Sequence, residues 1–342
     1  MTNRSKARRA LQSGQAAVAG IDLGNKHSEI CWLDANGEVV ERRRIATSSV
    51  ELEKTFGGQP ALVIAIETGM HANWVRRRLE ALGHLVYVAD AKRVKLIWET
   101  KSKDDRRDAQ LLAEVVLRWP ELLHAVPGRS LESEHGRALL TLRAALVDAR
   151  TELINSVRGV TKSFGEKLPA ADTAAFARKA GPALPAELRE LVHATLLVIE
   201  QMSAQIAVYD KQVLKLCDGP YAAATRRLRS IPGVGPLTAL AFVLELDNDP
   251  GRLRNSRAAG ALVGLRPGRK ESGESKPELG ITKTGNRMLR RWGLGLAGRR
   301  SSMRGKRCAI VATARKLAVL LHTLWRKDQD FDPSIGLEQA AA

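Results

Sequence analysis

Three short segments near the start of the chain, each with the pattern of a β-strand, constrain its fold more than any other feature. The run AVAGIDLG has the length and β-branched content of a buried strand, and SEICWLD follows it as a second strand. The turn sequence DANG then leads into EVVERRRIA, whose alternation predicts a third strand. Three consecutive strands joined by short turns predict an antiparallel meander.

Helices and strands alternate after this meander. The helical stretch SSVELEKTF precedes a central strand, ALVIAIET, and an amphipathic helix that ends at Gly83 precedes a fifth strand, HLVYVAD. A helical segment from Ala91 leads to a last helix, DDRRDAQLLAEVVLRW, which stops at Pro120. Residues 16–125 therefore predict an α/β domain with the ribonuclease H order of elements, in which parallel strands continue an antiparallel meander.

Four carboxylates occupy positions in this order where they could meet. Asp22 lies near the end of the first strand, and Glu67 ends the strand that we expect beside it. Asp105 and Asp108 share one face of the last helix. Converging carboxylates repel one another unless cations neutralise them, and hard oxygen ligands favour Mg²⁺ or Mn²⁺. Two such ions about 4 Å apart can support in-line displacement at phosphorus, so we predict that these acids bind metal and are catalytic.

Each acid by itself has an ordinary structural explanation. A strand-end aspartate commonly accepts hydrogen bonds in a turn, and two aspartates on one helix commonly face solvent. Asp104, beside the helical pair, is expected to point off their face. The sequence AGIDLG is also typical of actin-like and sugar-kinase ATPases, in which this turn binds ATP phosphates. Such enzymes need a second phosphate loop and a second similar domain, and we find neither pattern in the sequence.

Positive charge is concentrated in the last third of the chain. The sequence has 55 Lys and Arg against 37 Asp and Glu, a formal net charge of +18. Residues 251–307 hold 16 of the basic residues and only three acids. A solvated surface is the alternative explanation, but such clustering is typical of nucleic-acid binding and argues against a small-metabolite kinase. The predicted nucleic-acid contacts in this block are Arg266, Arg269, Lys270, Lys283, Arg287, Arg290 and Arg291.

Long helical patterns predict a second region of different architecture over residues 126–222. Two amphipathic segments, about 130–165 and 186–217, flank an Ala-, Pro- and Gly-rich stretch that we expect to be a loop from about 167 to 185. Two helices joined by a loop predict an antiparallel hairpin, or coiled coil. Their apolar stripes are compatible with internal packing alone or with pairing to another protomer, and both readings remain open.

The sequence IPGVGPLTALAF predicts two helices separated by a tight turn, which is the helix-hairpin-helix pattern. Gly233 and Gly235 would let the turn backbone approach a phosphate, and the amide groups that begin the next helix could bind it. An ordinary Gly-rich corner between helices is the alternative. We expect residues 223–330 to form a mostly helical domain that also contains the basic block.

The remaining features exclude several classes. Cys31, Cys217 and Cys308 have no partner at metal-ligand spacing, so they predict reduced thiols of a cytosolic protein. No uninterrupted apolar run has the length of a membrane span. We expect residues 1–15 to form a basic disordered arm and residues 331–342 a disordered tail.

Several segments together resemble one family, the DEDD transposases of bacterial insertion sequences of the insertion-sequence-110 and Piv/MooV type. The resemblance is carried by GIDLGNKHSEICWLD, AIETG, KDDRRDAQLLAE, IPGVGPLTALAF, ALVGLRPGRKESGESKPELGITKTGNRMLRR and ATARKLAVLLHTLWRK, in family order over most of the chain. One departure is Asp104, where the family usually has Thr or Ser; it leaves the two paired aspartates in place. The resemblance implies a RuvC-like N-terminal domain and a C-terminal transposase domain.

The resemblance also implies roles for particular residues. It makes the four acids the metal ligands, and it implies a nucleophilic serine in the SG motif, here Ser272, that forms a covalent link to a DNA phosphate. Chemistry alone would not select this serine, because it has no evident base beside it. Ser275 is the alternative nucleophile.

Partners are implied by the same resemblance. They are donor and target DNA, a structured guide RNA encoded beside the gene, and a homodimer or homotetramer in which the acids of one protomer meet the serine of another. The resulting hypothesis is an Mg²⁺-dependent DNA transposase or site-specific recombinase of the bacterial cytosol. Two alternatives remain: a RuvC-like structure-selective endonuclease that uses only the acids, and a non-catalytic nucleic-acid-binding protein.

Overall fold

The structure, a computed structural model, describes residues 18–90, 105–268, 279–298 and 306–333. The chain divides into two compact units, residues 1–129 and residues 130–342. The predicted arm of residues 1–15 and the predicted helical segment from Ala91 lie outside the described residues. Each unit is considered by itself below.

The first unit is built on one mixed sheet of five strands. These are β1 (Val18–Leu23), β2 (His27–Leu33), β3 (Val39–Ala46), β4 (Val63–Glu67) and β5 (Leu85–Ala89). Their order across the sheet is β3-β2-β1-β4-β5. β1, β2 and β3 are antiparallel neighbours, while β4 is parallel to β1 and β5 is parallel to β4. The sheet thus has the predicted arrangement, a meander continued by parallel strands, and is consistent with a ribonuclease-H-like domain.

Alternating side chains bury both faces of this sheet. Ala19 and Ile21 of β1 belong to an apolar cluster with the helices α1 (Ser49–Phe56) and α2 (Ala72–Ala81). Val18 belongs to the cluster on the opposite face, which the helix α3 (Asp105–Arg118) covers. Even-numbered residues of β1 therefore face α3, which determines where the side chain of Asp22 must point.

A pair of long helices begins the second unit. α4 (Leu131–Ser163) and α6 (Ala186–Asp218) pack along each other, and the contacts show that they are antiparallel. Arg143 Nε donates to Asp210 Oδ1 at 2.6 Å, and Arg150 Nη1 donates to Ser203 Oγ at 3.1 Å. The residue numbers of the contacting partners increase along α4 and decrease along α6. This arrangement is the helical hairpin that the sequence predicts.

The stretch predicted as a loop between these helices contains a short helix, α5 (Phe176–Ala180), followed by a 3₁₀ turn (Gly181–Ala183). The prediction of an unbroken loop was therefore wrong. Phe176 is 1% exposed and packs in one cluster with Ile154 and Ile199. Burial of this side chain against both long helices stabilises the short helix, and the Ala, Arg and Lys residues that follow Phe176 have high helix propensity.

Five further α-helices are present among the described residues of the second unit. They are α7 (Ala222–Arg229), α8 (Pro236–Glu245), α9 (Ala259–Leu262), α10 (Arg287–Gly298) and α11 (Lys306–Lys327). Residues 238–244 of α8 are all buried, so this helix is the centre of the core. Phe331, the first residue of the predicted tail, packs against the same cluster and donates its backbone N–H to Ser230 Oγ at 2.8 Å.

Two helices in the described part of the chain are long and apolar enough to cross a membrane by length and composition. They are Ala186–Asp218 and Cys308–Lys327. Both have structural roles in the second unit: the first is α6 of the hairpin and the second lies within α11, which contributes Leu321 and Trp325 to the core. High hydropathy here is weak support for a membrane span, because core helices have the same composition.

Candidate active site

Asp22 and Glu67 stand side by side at the ends of neighbouring parallel strands. β1 and β4 are in register, with Ile21 opposite Ile66, so the two acids occupy the next matched positions. Adjacent strands are about 4.8 Å apart, and both acids are half-buried. Since Ile21 and Ile66 face α1 and α2, the acids project from the opposite face, which α3 covers.

The contacts of two glycines determine the direction of α3. A β-carbon on Gly20 would come within 2.0 Å of the Ala109 carbonyl oxygen, so the helix backbone touches the strand at that point. Gly37, in the turn after β2, lies against the guanidinium group of Arg118 at the other end of α3. This turn is at the start of β1, because Val18 pairs with Leu33. α3 therefore runs antiparallel to β1, and its first turn lies at the end of the sheet that carries Asp22.

Asp105 and Asp108 belong to this first turn. Asp108 is half-buried and immediately precedes Ala109, while Asp105 is the first residue of the helix. The side chain of Asp105 lies outside the described set. Among the described side chains, no three His, Cys, Asp or Glu residues are placed to hold one ion. The donor chemistry nevertheless suits a hard divalent cation, because every predicted ligand is a carboxylate.

A hydrogen-bonded chain joins the loops that follow the two acid-bearing strands. Trp74 Nε1 donates to His71 Nδ1 at 3.0 Å. An indole nitrogen can only donate, so the proton of this imidazole is on Nε2, which lies 3.2 Å from Asn25 Oδ1 and donates to it. Asn25 follows β1, and His71 immediately precedes α2. These two hydrogen bonds therefore fix the positions of the two loops relative to each other, beside Asp22 and Glu67.

Cys31 lies on the same sheet face, where it is buried. Burial raises the pKa of the Cys31 thiol, while a hydrogen bond with Arg42 lowers it in part. The thiol is therefore part of the packed face beneath α3.

Ser272, Ser275, Arg269 and Lys270 lie outside the described residues. The structure does describe the two chain segments that lead to them. Pro267 and Ile281 form an antiparallel bridge, and the Gly268 N–H donates to the Gly280 carbonyl at 2.9 Å. Thr282 N also donates to the carbonyl of the residue before Pro267, at 2.8 Å. The segment that contains the SG motif is therefore closed at its base by a short ladder.

The described basic residues differ in what they contact. Arg290 Nη1 donates to the carbonyl oxygens of Val263, Lys283 and Gly285, at 3.3, 3.1 and 3.4 Å. Arg291 instead contacts both carboxylate oxygens of Asp148, at 2.7 and 3.0 Å, with both side chains more than half exposed. Arg290 therefore supports the loop below the ladder, whereas Arg291 is at the surface. Three other predicted contacts are exposed: Arg266, Lys283 and Arg287.

Gly233 and Gly235 lie in the turn between α7 and α8. Gly233 has φ +87, a left-handed conformation that favours glycine, and it is exposed. Gly235 precedes α8, whose first residue is Pro236. Two helices separated by a tight turn are present here, and the turn is exposed at Gly233.

Sequence reasoning missed one acidic and one basic residue at the candidate site. Asp22 pairs across the hairpin with Glu29 of β2, and Glu29 pairs with Arg44 of β3. The signal was available, because a two-residue turn at Asn25 and Lys26 pairs Gly24 with His27 and, counting outward, Asp22 with Glu29. It was overlooked because the search followed strand ends, while Glu29 is near the start of its strand.

This topology, with acids at the carboxyl ends of its central strands and on the helix covering them, is that of the ribonuclease-H-like enzymes that act on nucleic-acid phosphodiesters. A family model for the DEDD transposase domain of the IS110 type matches residues 19–164, and the model described as "Transposase IS116/IS110/IS902 family" matches residues 225–308. The chain belongs to the IS110 family of transposases, which are DNA-recombining enzymes. Its substrate is therefore DNA, and a DEDD domain implies dependence on a divalent metal.

Relatives along most of the chain agree with this assignment. The transposase for insertion sequence element IS1111A of Coxiella burnetii is 29% identical over 290 residues, which cover 83% of this chain and 77% of that protein. A probable family 20 transposase of Pseudomonas aeruginosa is 29% identical over 279 residues, covering 79% and 80%. The transposase for insertion sequence element IS1328 of Yersinia enterocolitica is 28% identical over 279 residues, covering 80% of each.

Proposed function

We propose that this transposase cleaves and exchanges DNA strands at the ends of its insertion sequence, with Asp22, Glu67, Asp105 and Asp108 as its metal ligands. One observation supports the proposal above all others. Asp22 and Glu67 occupy matched positions of adjacent parallel strands, on the face covered by a helix whose first turn carries the other two acids. No element other than this sheet and this helix is needed to gather the four carboxylates.

The four acids suit Mg²⁺, or Mn²⁺ in its place, because all of their donor atoms are hard oxygens. A bound pair of such ions supplies charge neutralisation at the scissile phosphate and lowers the pKa of an attacking hydroxyl. The acids themselves contribute fixed positions, since a strand end and a helix start that are packed on each other resist displacement. The choice of Mg²⁺ is part of the proposal.

Ser272 is the proposed nucleophile, with Ser275 as the alternative. Its Oγ attacks the phosphorus of the scissile phosphodiester and forms a serine phosphodiester while the bond to the leaving sugar oxygen breaks. The hydroxyl proton passes to that oxygen. Attack by a different DNA hydroxyl then releases the serine and forms the new strand junction, with no net hydrolysis and no need for ATP.

Further parts of the proposal concern organisation. We assign a RuvC-like catalytic domain to residues 16–125, a helical hairpin to 126–222 and a serine-bearing transposase domain to 223–330. We assign phosphate binding to a helix-hairpin-helix at Gly233 and Gly235, supported by the exposed left-handed turn between α7 and α8. The basic residues of the block after residue 251 are assigned to DNA or RNA backbone.

The proposed partners are a structured guide RNA and further copies of the chain. A guide would explain sequence choice by base pairing while the protein holds the backbone. Exposed apolar side chains on the hairpin, including Leu142, Leu191, Leu197 and Val208, are compatible with a second protomer. We propose the bacterial cytosol and nucleoid as the place of action.

A recombination assay tests the mechanism. The flanking DNA of the element is incubated with Mg²⁺, its adjoining transcript and either wild type, Ser272→Ala or Ser275→Ala, and denaturing gels are used to detect protein joined to DNA. An adduct that disappears only in Ser272→Ala supports the serine mechanism. An adduct that disappears only in Ser275→Ala assigns the other serine. Nicking by all three proteins with no adduct would show the endonuclease mechanism, in which water attacks.

A further inference from the structure

The predicted acids Glu67 and Asp22 belong to a row of neighbouring positions that continues across the sheet. Glu67, Asp22, Glu29 and Arg44 are register neighbours on β4, β1, β2 and β3, in that order. Directly opposed residues of antiparallel strands project from the same face, so Glu29 and Arg44 share the α3 face with Asp22. Cys31 and Arg42, the next pair on this face, agree with the assignment because Arg42 donates to Gln110 of α3.

Glu29 forms an ion pair with Arg44 through its Nε. Arg44 Nε lies 3.4 Å from Glu29 Oε1, and the side chains are 62% and 15% exposed, respectively. A guanidinium group has two further nitrogens on the side away from Nε, arranged as a fork that matches phosphate oxygens. The ion pair with Glu29 therefore orients the group, while most of the Arg44 side chain is exposed to solvent.

The two arginines that precede Arg44 have different environments. Arg43 projects from the opposite face, where its guanidinium carbon is 5.7 Å from the ring centroid of Trp32 and it donates to Glu41. Arg42 is on the acid face but is engaged by Gln110. Of these three arginines, only Arg44 lies on the sheet face that carries Asp22, is in the same row as Asp22 and has a mostly exposed side chain.

We propose that Arg44, oriented by Glu29, binds a backbone phosphate of the DNA strand that is cleaved at the acids. The inference rests on the proposed catalytic role of Asp22 and Glu67 and adds the residue that holds their substrate. Two strand spacings separate Asp22 from Arg44, about 10 Å, which compares with a rise of roughly 3.4 Å per nucleotide. Arg44 therefore contacts a phosphate a few nucleotides from the scissile one. The Arg44 side chain is mostly exposed, so we expect Arg44→Ala to leave the fold intact.

Methylphosphonate substitution provides a direct test, because it neutralises one chosen phosphate. Binding of the element-end duplex is measured with Ca²⁺ and the adjoining transcript, one neutral phosphate at a time, near the cleavage position. For wild type, we expect a several-fold loss of affinity at one phosphate. For Arg44→Ala, we expect binding to unmodified DNA to be weaker by a similar factor. The slope of affinity against salt should fall by about one unit. Neutralising the same phosphate should then cause no further loss of affinity.

Arg43→Ala is the matched control, since it removes an equal charge from the other face; its methylphosphonate profile should be that of wild type. An Arg44→Ala profile identical to wild type overturns the proposal, and so does equal sensitivity of both variants. Glu29→Gln tests the orienting role: if cleavage by this variant requires a higher Mg²⁺ concentration, Glu29 is a metal ligand and our assignment is wrong. Because Ca²⁺ is used to measure binding without cleavage, this test does not depend on the catalytic role of the acids. That role is tested separately with Asp22→Asn, and cleavage by this variant would contradict it.

Discussion

Gly20 and Ala109 bring β1 and α3 into backbone contact at the level of the candidate site. A β-carbon at position 20 would lie 2.0 Å from the Ala109 carbonyl oxygen and 2.5 Å from the backbone nitrogen of Ala113. Both obstacles are main-chain atoms of a helix, so neither can move without moving the helix. The distance between Asp22, two residues after Gly20, and Asp108, one residue before Ala109, therefore depends on the absence of a side chain at position 20.

Gly20→Ala should displace α3 from the sheet. We expect a loss of about 1–3 kcal/mol in the free energy of unfolding, as in other overpacked cores, and a much larger relative loss of strand cleavage, because the metal ligands separate. Thermal unfolding and cleavage are measured on the same preparations. Gly69→Ala is the control, because a β-carbon there meets nothing within 4 Å and its melting temperature should not change. Full activity in Gly20→Ala would show that α3 does not set the site geometry.

Asp22→Asn should abolish cleavage while leaving DNA binding and stability almost unchanged. The amide occupies the same volume but has no charge with which to bind a divalent ion. Cleavage is measured in Mg²⁺, and Mn²⁺ binding is measured by calorimetry.

The control for this variant is Asp34→Asn, at the opposite end of β1. Asp34 Oδ1 accepts from the backbone N–H groups of Asn36 and Glu38, both at 2.9 Å, and an asparagine oxygen can accept both bonds. Wild-type cleavage and Mn²⁺ binding are expected. Equal cleavage by Asp22→Asn and Asp34→Asn would exclude a metal-ligand role for Asp22.

Buried His84 should make the stability of the first unit depend on pH. Its Nδ1 accepts from the Leu62 N–H at 3.1 Å and its Nε2 donates to the Phe56 carbonyl at 3.1 Å, so only the neutral ring satisfies both bonds. Burial lowers the pKa of His84, with a smaller raising effect from the Phe56 carbonyl. The folded state therefore prefers the neutral form. Its contribution to stability is complete above the unfolded pKa, about 6.5, and is lost as pH falls from there towards the folded value.

Calorimetric melting of wild type and His84→Gln between pH 8 and pH 5 measures this contribution. Wild type should be the more stable protein at high pH, and the difference in melting temperature should shrink as the pH falls below about 6.5. A difference that stays constant over this range would show that His84 does not titrate in the unfolding reaction.

Arg290→Ala and Arg291→Ala should separate a structural from a surface arginine. Arg290 donates to three carbonyl oxygens, so its loss should cost about 1–3 kcal/mol in the free energy of unfolding of the second unit. Arg291 forms an exposed ion pair with Asp148, and its loss should cost less than about 1 kcal/mol. Denaturant unfolding of both variants gives the comparison. Equal losses would contradict the assignment of Arg290 to the loop below the ladder.

DNA binding by the same two variants addresses their predicted contacts. If Arg291 binds a phosphate, Arg291→Ala lowers the slope of affinity against salt by about one unit with little change in melting temperature. An unchanged slope would exclude Arg291 as a DNA contact. Arg290 supports a loop that carries Lys283 and leads to the ladder. Weaker DNA binding by Arg290→Ala can therefore result from a disturbed loop, so it must be compared with the stability of the variant.

Local sequence patterns were sufficient to predict the order of elements in the first unit and to select the candidate acids. Strands with alternating or wholly apolar content, separated by short turns, allow few topologies, and a parallel β4 beside β1 brings Asp22 and Glu67 together. Helix spacing was sufficient to put Asp105 and Asp108 on one face. These are local patterns, so they can be read without knowledge of long-range contacts.

Local patterns could not predict which residues across the sheet share that face, because this depends on how the strands pair. The row that joins Asp22 to Glu29 and Arg44 depends on strand register, and a shift of one residue would move every side chain to the other face. The short helix at Phe176 is likewise stabilised by burial against the two long helices that flank it in the chain. The approach of Gly20 to Ala109 is of the same kind, because the packing of two segments nearly 90 residues apart, and not the propensity of either, sets their separation.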